Sequence, residues 1–148
     1  MTEAELKRRT KQLALQTIDF VENLRKTQAS HIIGRQLLRS GTSVGANYRT
    51  ACRAKSLPDF VAKLAISEEE CDESLYWIEL LLEARLTTDR VAAPLLKEGN
   101  ELLAIFVASI RTARSRIPVS RSLNSRSADT LQKNQRASSP IQNPKSKT

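Results

Sequence analysis

Aromatic residues make up only 4% of the 148-residue chain: one tryptophan, two tyrosines and three phenylalanines. Four glycines and five prolines leave few turn signals. Together these scarcities argue against a β-sandwich, whose strands want aromatic and β-branched residues and frequent turns. The two cysteines, Cys52 and Cys71, form no CxxC pair. Both fall inside expected helices beside apolar positions, where a buried small hydrophobe is the simpler role than a disulfide. His31 is the single histidine, too little imidazole for a histidine-based metal cluster. No apolar run approaches the roughly 20 residues of a membrane span. The first eleven residues, MTEAELKRRTK, are charged throughout and unlike a signal peptide. The expectation is a soluble, cytoplasmic protein with one core-forming domain.

Leu, Ala and Ile carry much of the 40% hydrophobic content, and they recur at helical spacing. The first helix is expected over about 2–26, with Leu6, Leu13, Phe20, Val21 and Leu24 on one side and Thr10 and Thr17 filling the seam. Thr2 followed by Glu5 fits a capping box. Lys7, Arg8, Arg9 and Lys11 read as a solvated face. The second helix is expected over about 30–55, with Ile33, Leu37, Val44 and Ala51 as its apolar side. Its interior glycines, Gly41 and Gly45, each cost on the order of 1 kcal/mol relative to alanine. Close approach of a neighbouring helix is the simplest offset. The Ser56-Leu57-Pro58-Asp59 tetrad stops one helix and starts another: a serine N-cap, a first-turn proline, and an acid at the positive dipole end. Helix three then runs to about 85 with Phe60, Leu64, Cys71, Leu75, Ile78 and Leu82 in its core seam. Helix four follows a loop at 86–89 and ends near 116, with Val91, Leu95, Leu102, Phe106 and Ala113 in its seam and Thr88 or Asp89 as its cap. Four such helices joined by short loops predict an all-α, antiparallel up-down-up-down four-helix bundle over 1–116.

The net charge of +8 is unevenly placed. Residues 1–116 hold 18 lysines and arginines against 15 acids, whereas 117–148 hold six against one. The latter segment is rich in Ser, Asn, Gln and basic residues, and predicts a disordered basic tail.

Signs of catalysis are missing. The Glu68–Glu73 acidic run lacks the Glu-x-x-His motifs of a di-iron bundle. Gly41-Thr-Ser-Val-Gly45 lacks the ending of a phosphate loop, and no nucleophile triad can be assembled. The expectation is a non-enzyme without cofactor or metal. Two noncatalytic features stand out. Arg35, Arg39, Arg49 and Arg53 fall within a helical stripe roughly 80° wide. With Lys55 and the tail they form a candidate nucleic-acid-binding surface, since arginine's planar fork suits phosphate oxygens. No aromatic is interleaved with the row, so base stacking is not indicated. The third helix also carries a second, mixed face of Ile66, Glu70, Glu73, Trp77, Leu81 and Ala84, the pattern of a helix meeting a further partner. The acids Glu69, Glu70 and Glu73 could instead pair with the arginines, within one subunit or between subunits. The arginine row would then serve only a structural or adaptor protein's own assembly.

The stretch QLLRSGTSVGANYRTACRAKSLPDFVAKL (36–64), followed by EEECDESLYWIELL (68–81), resembles the four-helix bundle family encoded by intervening sequences of bacterial 23S ribosomal RNA. That family includes the accessory variability protein of diversity-generating retroelements. The resemblance covers about 10–115 and falls on Gln36, Arg39, Ser43, Asn47, Tyr48, Ser56, Asp59, Phe60, Glu70, Glu73 and Trp77. It implies a ring-like homopentamer with a basic surface. For the retroelement members it implies binding to nucleic acid, RNA or DNA, and to a reverse transcriptase. Thr50 departs from the pattern, where many relatives carry an acid, and the long C-terminal tail is not part of the shared bundle.

Overall fold

The computed structural model describes residues 1–118. The basic tail expected over 117–148 lies, from 119 onward, outside the described residues. Four helices follow one another: α1 (Glu3–Glu22), α2 (Gln28–Ala51), α3 (Leu57–Glu83) and α4 (Asp89–Ser115). Met1–Ile117 forms one compact unit. Each helix packs on its two neighbours only, α1 on α2 and α4, and α3 on α2 and α4. This is the expected up-down-up-down bundle, with the α2–α3 seam the most extensively packed and α1–α4 the least.

Local chemistry sets the helix ends. Thr2 Oγ1 accepts the Glu5 amide at 3.1 Å. The reciprocal capping box forms at α2 instead: Thr27 Oγ1 accepts the Ser30 amide, and Ser30 Oγ accepts the Thr27 amide. A serine at the third helical position replaces the usual glutamate, and α2 begins at Gln28, two residues before the expected start. Ser56 caps α3 through the Asp59 amide as expected. Thr88 sits at the N-cap of α4 but makes no side-chain cap bond. α3 ends in a Schellman turn: Leu86 N–H bonds the Leu81 carbonyl and Arg85 N–H that of Leu82. Arg85 occupies the left-handed region there, at φ 58°.

The glycines explain how α2 meets α1. A Cβ on Gly41 would lie 2.7 and 2.8 Å from Thr17 Oγ1 and Cγ2. One on Gly45 would meet the Thr10 carbonyl oxygen at 3.2 Å. Thr10 and Thr17 are fully enclosed, and their hydroxyls are satisfied within α1 by the Leu6 and Leu13 carbonyls. Small residues thus let two backbones approach. The α3–α4 seam repeats the device: a Cβ on Gly99 would meet Leu75 Cδ2 at 2.7 Å. Cys71 donates its S–H to the Gly99 carbonyl at 3.3 Å. Burial pushes its thiol up to about 12, which keeps it a protonated packing group. The two cysteines are free.

Some core positions differ from expectation. Val91 is 50% exposed, whereas Ala92 beside it is fully buried. Phe60 and Leu82 are only half-buried, while Val61, Ser67, Ser74 and Leu81 are buried. Helix α3 is covered from both flanks, by α2 and by α4, so its buried arc is wider than one stripe.

Candidate functional site

The arginine row divides once α3 is in place. At about 100° per residue, Arg39 and Arg49 mark opposite margins of the row on α2, with Arg35 between them. Arg39 is on the margin nearer α3. Its Nη2 reaches both oxygens of Glu73 at 2.6 Å, and its Nη1 contacts Glu70 at 3.2 Å. Trp77 Nε1 donates to Glu73 Oε1 at 2.9 Å. Tyr76 meets Trp77 edge-on, with ring centroids 4.8 Å apart. The hydrogen bonds from Arg39 and then Trp77 hold Glu73 below the usual carboxylate range. Donation to Glu73, reinforced by the Glu70 charge, raises Arg39. The same flank is tied beneath by Ser40 and Ser74, whose buried hydroxyls share a hydrogen bond of 2.9 Å across the α2–α3 seam.

Arg35 and Arg49 are exposed on α2. Arg53 and Lys55 are exposed in the turn beyond its end, because the helix stops at Ala51. Among the described residues, none of these four forms an ion pair, and Glu69 forms none either. So one of the four arginines is neutralised internally, by Glu70 and Glu73.

On the mixed face of α3 one residue is placed differently from expectation. Ile66 is 43% exposed, Trp77 is half-buried, and Glu70 and Glu73 are engaged with Arg39. Leu81, expected on that face, is fully enclosed in the bundle core. It lies about two turns beyond Ser74, which bonds Ser40 of α2, so the intramolecular seam closes over it. It is therefore not available to a further partner.

A third charged group has no counterpart in the sequence pattern. Arg9, expected in a solvated cluster, bridges α1 to α4. Its Nε and Nη2 bind the two oxygens of Glu98, each at 2.8 Å, and Nη2 also contacts Glu101 at 2.8 Å. The Glu98 hydrogen bonds raise its pKa despite partial burial. The partners are 89 and 92 residues apart, beyond any local pattern. Asp59 accepts from the Lys55 amide and from Lys63 Nζ. The Lys63 bond, then the Lys55 amide, hold its carboxyl below the usual range.

Among the described residues, no group of three or more histidines, cysteines or acids is placed to hold a metal. No described helix is long and apolar enough to cross a membrane.

The family model for 23S rRNA-intervening sequence proteins matches residues 2–108. No curated protein matches the chain. Among solved structures, it is similar to a protein of unknown function from the S23 ribosomal protein family of Bacteroides thetaiotaomicron VPI-5482, determined by crystallography at 1.70 Å. The two are 31% identical, the match covers 75% of this chain and 99% of that one, and the TM-score is 0.69.

Proposed function

From the premise that the chain belongs to the family of 23S rRNA-intervening sequence proteins, we propose that it is a noncatalytic, cytoplasmic, homo-oligomeric bundle whose free cations bind nucleic acid or a ribonucleoprotein partner. The observation that carries this reading is the set of exposed cations, Arg35, Arg49, Arg53 and Lys55, that form no ion pair among the described residues. Guanidinium groups without ion-pair partners among the described residues, set along α2 and its terminal turn, suit a phosphate backbone. The family resemblance adds a pentameric ring and, for its retroelement branch, a reverse transcriptase as partner.

Mobility shifts with structured RNA and duplex DNA across a salt series test it. Affinity should fall as salt rises. An Arg35/Arg49/Arg53→Ala variant should lose about 0.9 in the log–log salt slope for each duplex phosphate contact removed. Affinity that ignores salt, or survives that variant unchanged, overturns the reading.

A second reading, an adaptor whose charges serve assembly alone, draws on the Arg39–Glu70–Glu73 group beside exposed Ile66 and Tyr76. It puts Ile66, Glu70, Glu73 and Trp77 at a contact between copies of the chain. On it, Trp77→Ala or Glu73→Ala should lower the particle mass seen by light scattering. Variants that keep the parent mass remove this face as the interface.

A further inference from the structure

The end of the bundle where α2 and α4 finish and α3 begins carries an arrangement that neither the arginine row nor the α3 face accounts for. Two concavities open there, of about 570 and 360 Å³. They share Leu57, Phe60 and Ser109, so together they make a grooved surface with Phe60 on the wall common to both. Lys55 lines one half, and Arg116, the C-cap of α4, lines the other. Phe60 is half-buried: one side packs on the core and the other lines the groove. Lys55 and Arg116 are exposed and form no ion pair among the described residues. The nearby acids are already engaged, Glu3 with Lys7 and Asp59 with Lys63. Tyr48, Ser109 and Thr112 also line the walls.

We propose that this groove takes an unstacked base of a single-stranded polynucleotide against Phe60, with the flanking phosphates on Lys55 and Arg116. The inference rests on the nucleic-acid reading above and narrows it to a class of substrate. A cationic track interrupted by an aromatic face is the common device of single-strand binding, because every base has a π-face and every link a phosphate. Phe60 stands on the first turn of α3, whereas Ser109 and Arg116 belong to the end of α4. The pattern is therefore invisible along the sequence and appears only when the two helices lie side by side.

Fluorescence anisotropy with labelled oligo-uridylate, oligo-thymidylate and a duplex of equal length tests the proposal on the full chain. The two single-stranded arms separate RNA from DNA as the source of the strand. Phe60→Leu should weaken single-strand binding about tenfold and leave duplex binding unchanged, and Phe60→Tyr should restore it. Lys55→Ala with Arg116→Ala should lower the single-strand salt slope by about 0.7 per lost contact. On the unaltered protein, photocrosslinking with 4-thiouridine in the strand should mark the tryptic peptide Ser56–Lys63, which decides the matter even where Phe60→Leu fails to fold. Crosslinks confined to other peptides, or a Phe60→Leu loss shared equally by duplex and single strand, overturn the groove. Duplex binding with a normal salt slope beside an inert Phe60→Leu removes the groove alone. No binding of any nucleic acid removes both readings.

Discussion

The two flanks of α2 are built on opposite principles. Toward α1, the seam closes because atoms are missing: Gly41 and Gly45 bring the backbone against Thr17 and Thr10. Toward α3, it closes because polar groups are present and matched: Ser40 with Ser74, and Arg39 with Glu70 and Glu73. The difference bears on function. The flank that uses side chains to bind its neighbour consumes its arginine. The cations away from that flank, Arg35 and Arg49, are exposed and form no ion pair among the described residues.

The largest effect on this contrast is expected from Gly41→Ala. A methyl group within 2.8 Å of Thr17 should force α1 and α2 apart and cost about 1–3 kcal/mol. Thr17→Ala in the same chain should recover part of it, as a double-mutant cycle in denaturant would show. Costs that simply add would mean that the two residues do not share a contact. Arg9→Ala tests the remaining seam, α1–α4, which has neither glycines nor matched serines. It leaves Glu98 and Glu101 without their guanidinium, for a loss of about 2 kcal/mol by urea unfolding. A loss within error would mean that apolar packing alone holds that seam.

The smallest effect is on the α3 flank. Glu73 has a lowered pKa in the folded protein, from its Arg39 and Trp77 hydrogen bonds. As pH falls, the unfolded chain therefore takes up the proton first. The stabilisation is complete above the ordinary glutamate range and is lost as pH drops through the depressed native value. Glu73→Gln should flatten the acid limb of thermal melts recorded from about pH 7 to about pH 3. An unchanged limb would place the acid sensitivity elsewhere, with Asp59 the next carboxyl to examine. The change should be modest, because this pair is exposed and solvent screens it.

Much of the bundle is legible along the chain. Helical spacing of Leu, Ile and Ala, the Ser56–Asp59 restart and the in-helix glycines each express a local rule, and a local rule can be read from neighbours in sequence. The departures share one cause. Leu81 reads as a second-face residue because a helical wheel knows angle but not the width of the arc that two neighbours cover. Val91 reads as buried, in place of Ala92, because the wheel gives spacing without saying which arc meets the neighbouring helix. Arg9 reads as solvated because Glu98 and Glu101 lie on α4, far along the chain.

The sequence by itself determined the four helices, their order, most of the core and the resemblance to the intervening-sequence family, because periodicity and capping depend on residues a few positions apart. Only the tertiary structure decided which charges pair within the bundle. Charge pairing across the bundle depends on distances of a few ångströms between side chains that the chain separates by 31 to 92 residues. That is why the arginine row, uniform in sequence, became one internally neutralised arginine and three with no ion pair among the described residues.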